Sequence, residues 1–165
     1  MLYKMKNSLL LILLILLSSC GYTMRGTIDI PSSIKEVSIV SDNYSNIVNT
    51  LSRSLENSNI KITQNNDKSL FRIVILNESF NRRQLTISTT GRVNEYELIY
   101  DVRYELNPPN KKSSSDRITL YRDYSFSENN VMGNSDREDS IKNEMVSAAA
   151  SMIFNKLKAL GRMSD

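Results

Sequence analysis

A single cysteine, Cys20, and the absence of histidine limit the chemistry open to this 165-residue chain. Histidine is the usual proton carrier near neutral pH and the commonest metal ligand. Without it a Ser-His-Asp triad is impossible, and one thiol makes no cysteine cluster for a metal. The 18 acidic residues leave a carboxylate-pair hydrolase open in principle. No pair among them is marked out by its surroundings. The expectation is a protein that is not an enzyme and that uses no cofactor or metal.

What remains is the chemistry of Cys20 itself. Lys4 and Lys6 give a positive leader, Leu9 to Leu17 is a nine-residue apolar run, and Ser18-Ser19 lead into the cysteine. A helix needs ~20 apolar residues to cross a bilayer, so this run is too short for a span. Charge, apolar run and small residues in that order read as a removable export signal over residues 1–19. In an exported chain a lone cysteine has no internal disulfide partner. Leu17-Ser18-Ser19-Cys20 resembles the lipobox of bacterial lipoproteins. In that motif the thiol takes a diacylglyceryl group, the signal is cut before it, and the new amine is acylated. The resemblance implies lipidation at Cys20, which ends the case for a cysteine nucleophile. Each buried CH₂ contributes ~0.8 kcal/mol, so several acyl chains hold a domain firmly on a membrane. Residue 21 is Gly rather than Asp. By similarity to other lipoproteins, this implies an outer-membrane destination with the domain on the periplasmic side.

Residues 20–165 then form one periplasmic domain of 146 residues. A domain of that size buries about 68–70% of its unfolded surface and stands without disulfides. Losing Lys4 and Lys6 takes the net charge from +3 to +1. Neither that balance nor the compartment fits nucleic acid as a partner.

The clearest element runs from Val93 to Leu106. Tyr96, Leu98, Tyr100, Val102, Tyr104 and Leu106 alternate with Glu95, Glu97, Ile99, Asp101, Arg103 and Glu105. Period two over such a length predicts a long strand with one wet face, and alternation puts the tyrosine row in the core. Pro108-Pro109 stops it, residues 110–116 form a loose connection, and Ile118 to Phe126 returns as its partner. Before it, Val37 to Val40 and Leu70 to Phe80 read as strands, with Leu85-Thr86-Ile87 extending the second or opening another. Between them Ile47, Val48, Leu51 and Leu55 draw one apolar stripe on a helix that Ser41 or Asp42 can cap. The last element is a helix whose stripe runs from Ile141 through Met145, Ala149 and Ile153 to Leu160. Ser135-x-x-Glu138 fits a capping box at its start and Gly161 fits a terminator at its end. This order predicts an α+β, two-layer sandwich: two helices on one face of a mostly antiparallel sheet of about four strands. The uncovered face is left for a partner or ligand.

Cys20-Gly21-Tyr22-Thr23-Met24-Arg25-Gly26 resembles the mature opening of the LptE family of lipopolysaccharide-assembly lipoproteins: Cys-Gly-(aromatic)-x-(apolar)-Arg-Gly. Gly91-Arg92-Val93-Asn94-Glu95-Tyr96 is similar to the Gly-Arg-x-x-Glu-Tyr segment that leads the family's long strand. Element order agrees along nearly all the mature chain. The resemblance implies a non-catalytic plug and assembly partner of the large outer-membrane β-barrel LptD, binding lipopolysaccharide as it is inserted into the outer leaflet. The competing expectation is another periplasmic lipoprotein, an adaptor or structural subunit of an envelope complex that binds no lipopolysaccharide.

A lipopolysaccharide ligand is anionic at its phosphorylated sugars, so guanidinium forks are its natural contacts. Arg92, in the Gly-Arg segment at the mouth of the long strand, is the first candidate. Arg82 and Arg83, in Asn81-Arg82-Arg83-Gln84, are candidates to join it at the same end of the sheet. The family also tends to carry a basic residue just before the last helix. Here Asn134 lies near that place with Arg137 beyond it.

Overall fold

The strict alternation of residues 93–107 builds the centre of the molecule. In the computed structural model, which describes residues 31–63 and 67–163, this segment is strand β4 (Val93–Asn107) of a five-stranded sheet. The other strands are β1 (Glu36–Ser41), β2 (Lys61–Thr63), β3 (Phe71–Ile87) and β5 (Ser114–Ser125), in the order β2-β1-β3-β4-β5. Helices α1 (Asn46–Glu56) and α2 (Val131–Arg162) complete the elements. Cys20 and the expected export signal lie outside the described residues. No helix among the described residues is long and apolar enough to cross a membrane.

The expected two-layer α+β arrangement holds, with a fifth strand and a mixed sheet. β1 is parallel to both β2 and β3, while β3, β4 and β5 form an antiparallel meander whose ladders are much the longest. α1 is the crossover between β1 and β2, which is why those two run parallel. Two bulges interrupt β3, where Leu76 and Leu85 have no partner on β4, and a third shift beside the turn leaves Asn94 of β4 unpaired with β3. Each shifts the pleat by one, so Phe71, Ile73 and Ile75 face inward and, beyond Leu76, Glu78 and Phe80 take that side.

One apolar layer lies between helices and sheet. Val37, Ile47, Leu51, Leu55, Ile73, Met145, Ala149 and Ile153 are wholly buried there. Tyr100 and Tyr104 are buried under the helices, as the alternation predicts. The Tyr100 hydroxyl donates to Glu78 Oε1 at 2.7 Å. The other oxygen of Glu78 accepts from Ser45 Oγ at 2.6 Å and from the Ile47 amide at 3.4 Å. A strand carboxylate thus satisfies the start of α1, and its negative charge suits a helix N-terminus. Neither Ser41 nor Asp42 is the cap; Ser45 holds the N-cap position and α1 begins at Asn46.

α2 also departs from its predicted start. It opens four residues before Ser135, with the Asn130 side chain accepting from the Gly133 amide at 3.1 Å. Glu138, the last residue of the presumed capping box, reaches across to the sheet instead. Nor does Gly161 end the helix in a left-handed turn. It lies within the last turn, where a Cβ would come within 2.5 Å of Ile34 Cδ1. The glycine is there for close approach of the 31–34 segment, and Ser33 Oγ donates to its carbonyl at 3.0 Å.

Candidate binding end of the sheet

Beyond Phe80 and Tyr100, β3 and β4 run on toward their turn as a ribbon that β5 flanks as far as Glu95. From Asn81 to Ile87 every side chain of β3 is exposed. The ribbon closes through a tight turn in which the Ser88 amide donates to the Arg92 carbonyl at 2.7 Å and the Gly91 amide to the Ser88 carbonyl at 3.0 Å. Ser88 Oγ accepts from the Arg92 amide at 3.1 Å. Gly91 has φ +79°, a left-handed conformation that strains residues with a Cβ. The turn therefore requires the glycine, and the glycine sets where Arg92 emerges.

Arg92 is the most exposed of the three guanidiniums at this end. Its side chain is 70% exposed, with one ion pair, 3.2 Å to the half-exposed Glu128 in the loop between β5 and α2. Such a pair is weak in water and is easily exchanged for another anion. Arg83 and Arg82 are neighbours on a strand and leave from opposite faces. Arg83 lies on the helix-free face, 2.5 Å from Glu97 Oε2. That contact raises its pKa. Arg82 turns to the helix side, 2.9 Å from Glu138 Oε2 and 4.5 Å above the Tyr96 ring. The sheet therefore carries all three arginines at one end but does not bring them together.

Arg82 is part of a built cluster. Tyr124 donates to Glu138 Oε2 at 2.6 Å, and Lys142 lies 2.7 Å from Glu138 Oε1. Burial pushes the Glu138 carboxyl up, but hydrogen bonds from Lys142, Tyr124 and Arg82 outweigh it and hold the pKa at about 2. Burial raises the pKa of Tyr124. The rings of Tyr96, Tyr124 and Phe126 pack together beside the cluster, with Tyr96 edge-on to Phe126 at 5.1 Å. This knot ties the root of the ribbon to α2. Sequence reading missed Glu138, Tyr124 and Glu128. A carboxylate about one turn from a lysine looks like an ordinary helix pair until the strand opposite it is known.

Asn134 is buried and taken up within the fold. Its side chain holds the preceding loop, donating to the Ser127 carbonyl at 2.6 Å and accepting from the Ser127 amide at 3.1 Å. Arg137 is exposed on the first turns of α2. On the helix-free face, Arg117 and Thr119 converge on Asp101 at 2.5 and 2.8 Å. Burial raises the Asp101 pKa and those contacts bring it below its ordinary value. The face is laced with charge and has Tyr121 standing half-exposed in it.

The model of the lipopolysaccharide-assembly family LptE matches residues 33–157, from the approach to β1 through most of α2. The chain belongs to the LptE family. It is an LptE-family lipoprotein of lipopolysaccharide assembly. The LPS-assembly lipoprotein LptE of Yersinia enterocolitica is 23% identical over 159 residues, spanning 93% of this chain and 77% of that one. Its counterpart in Pectobacterium atrosepticum is 21% identical over 142 residues, 85% and 77% of the two chains. The crystal structure of rare lipoprotein B from Shewanella oneidensis superposes with a TM-score of 0.70 at 25% identity, over 76% of this chain and 95% of that one. An NMR structure of lipoprotein B from Nitrosomonas europaea gives 0.69 at 24%, over 85% and 92%. The long hairpin and its Gly91-Arg92 turn thus lie within the stretch that makes this an LptE-family chain, and the described elements match a fold known from solved lipoproteins.

Proposed function

We propose that this LptE-family protein is anchored by acyl chains on Cys20 at the periplasmic side of the outer membrane. There it plugs an LptD-like β-barrel, assists the barrel's assembly, and binds lipopolysaccharide during insertion into the outer leaflet. The reading rests on one observation above others. The family's long hairpin projects past its own core and ends in a turn that presents Arg92 to solvent. A domain on a lipid tether can enter a barrel lumen from the periplasm, and a sheet face of paired charges suits a polar lumen wall. Arg92 is the principal ligand arginine, because its fork is free to take a phosphate in place of Glu128. Arg83 is a second contact from the helix-free face, and Arg82 contributes from its place above Tyr96.

The test is expression with the native signal beside the barrel proteins of the same genome, extraction in mild detergent, and purification through a C-terminal tag. A near-stoichiometric, very large β-barrel is expected with the lipoprotein. Mass spectrometry should show a diacylglyceryl group on Cys20. Recovery of the lipoprotein alone, or with soluble envelope proteins, would establish the adaptor instead.

A further inference from the structure

We propose a second binding site, for the hydroxyl-rich face of an oligosaccharide, in the trough where α1 and α2 lie side by side. The trough is on the helical layer and is separate from the Arg92 end. Asn46 and Asn143 line two adjoining hollows of about 520 and 440 Å³ that share Val146 as part of their floor. Asn49, Thr50 and Ser147 line the larger one, with Tyr44 at its rim.

The residue types there run against helix formation. α1 has only eleven residues, and Asn46, Asn49, Thr50, Ser52 and Ser54 are among them. Asparagine, serine and threonine compete with the helix for backbone hydrogen bonds and are poor choices for an exposed helical face. None of the five is used to cap α1. A run of local choices that opposes the fold without stabilising it is where a functional site is expected. Most of the side chains along the seam are short, with Arg53 and Lys142 as the long ones lining it.

The trough offers the chemistry that sugars need. The side-chain amides of Asn46 and Asn143 make no hydrogen bond to another described residue, so each presents a donor pair and an acceptor to a ligand. Adjacent sugar hydroxyls match that pattern. Thr50 and Ser147 spend their protons on the carbonyls of Asn46 and Asn143, at 3.2 and 2.8 Å, and keep their lone pairs as acceptors. Tyr44 is 86% exposed, its hydroxyl accepting from Asn49 Nδ2 at 3.5 Å, and its flat apolar ring at the rim is suited to the C–H face of a sugar ring. Charge is sparse: Lys142 is spent on Glu138 and Asp139, and Arg53 at the side of the larger hollow adds one cation. A shallow trough open along its length takes a chain of rings rather than one enclosed sugar. Two sources share this chemistry: the core sugars of lipopolysaccharide and the glycan strands of the cell wall.

The full-length lipoprotein in detergent micelles would be titrated calorimetrically with two lipid-free probes. One is dephosphorylated core oligosaccharide released from lipopolysaccharide by mild acid; the other is chitohexaose. Saturable binding of either supports the site, and the probe that binds names the source. Asn143→Ala and Tyr44→Ala should each weaken that binding at least tenfold. Asn143→Ala should melt no lower than the parent, because alanine is the better helix former. No binding of either probe up to millimolar concentration overturns the proposal, as does binding that both substitutions leave unchanged. Barrel co-purification is scored separately on the unsubstituted chain, so failure of the plug reading and failure of this one are distinguishable.

Discussion

β3 and β4 serve two regions that are held by different forces. Under the helices, their inward residues are Ile73, Ile75, Tyr100, Tyr104 and Leu106, sealed from water by two amphipathic stripes. Past Phe80 the same two strands run out from under the helices; beyond the contact of Arg82 with Glu138 of α2 they are kept in register by backbone ladders and exposed side-chain pairs. The base is bound by apolar burial, which is insensitive to sequence detail but intolerant of cavities. The tip is bound by contacts that water competes for, each of small net value. A protein that needed only to fold would have no reason to extend its two longest strands beyond its core.

The contrast breaks most readily at the base. Leu51 is fully buried in α1 against the sheet. Leu51→Ala should cost ~2–5 kcal/mol, lost transfer energy plus a residual cavity. Urea unfolding followed by circular dichroism would read this as a lower midpoint at unchanged slope. A loss below ~1 kcal/mol would mean that the helices sit loosely and that the base is no firmer than the tip.

Glu138 marks the junction, and its effect should depend on pH. Its pKa is held at about 2, below the ordinary 4.5. A depressed carboxylate stabilises the fold above its unfolded pKa, and the contribution disappears as pH falls from about 4.5 toward 2. At neutral pH it is on the order of 2 kcal/mol. Glu138→Gln should therefore melt lower than the parent at pH 6, with the difference closing as the pH approaches 2. Parallel melting curves at every pH would show that Arg82, Tyr124 and Lys142 do not act on the charge.

Gly161→Ala sharpens the view of the base, because two effects oppose each other there. Replacing glycine inside a helix normally stabilises by roughly 0.5–1 kcal/mol. Here the new methyl meets Ile34 Cδ1 at 2.5 Å and Pro31 Cγ at 3.1 Å. Overpacking of a buried contact costs typically 1–3 kcal/mol. The Ile34 side chain gives way in part, so a net loss of about 1 kcal/mol is expected in thermal unfolding. A gain would show that segment 31–34 is not held against α2.

Sequence legibility followed the same division. β4 was readable to within a residue, because period two over fourteen positions has no competing explanation, and the two-layer arrangement followed from the helical stripes. β2 was not, since three residues carry no periodicity. The start of α1 was misplaced because the group that satisfies it, Glu78, is identifiable only once the chain has folded; at α2 the local cap Asn130 competed with the capping-box pattern at Ser135. Adjacent arginines on a strand must point to opposite faces, so the separation of Arg82 from Arg83 was implicit in the sequence. Which faced the helices was not, because it depends on the bulge at Leu76. Gly91-Arg92 was legible as a motif, and the positive φ of Gly91 supplies its physical reason.

The smallest expected effect on stability falls on Arg92, and it decides most about the tip. Its pair with Glu128 is exposed on both sides, at 70% and 48%, and such pairs are worth ~0–1 kcal/mol. Arg92→Glu sets two carboxylates against each other in water, where the repulsion is screened, so unfolding should shift by less than ~1 kcal/mol. Capture of lipopolysaccharide on vesicles should nevertheless fall more than tenfold, since the exposed fork at the turn is replaced by a like charge to the ligand's phosphates. A loss of several kcal/mol would mean that the tip is part of the folding unit, and the distinction from the base would collapse. A variant as stable as the parent that captured lipopolysaccharide equally well would remove the arginine from the ligand's path. Loss of capture with stability intact is the outcome that a hairpin extended beyond its own core requires.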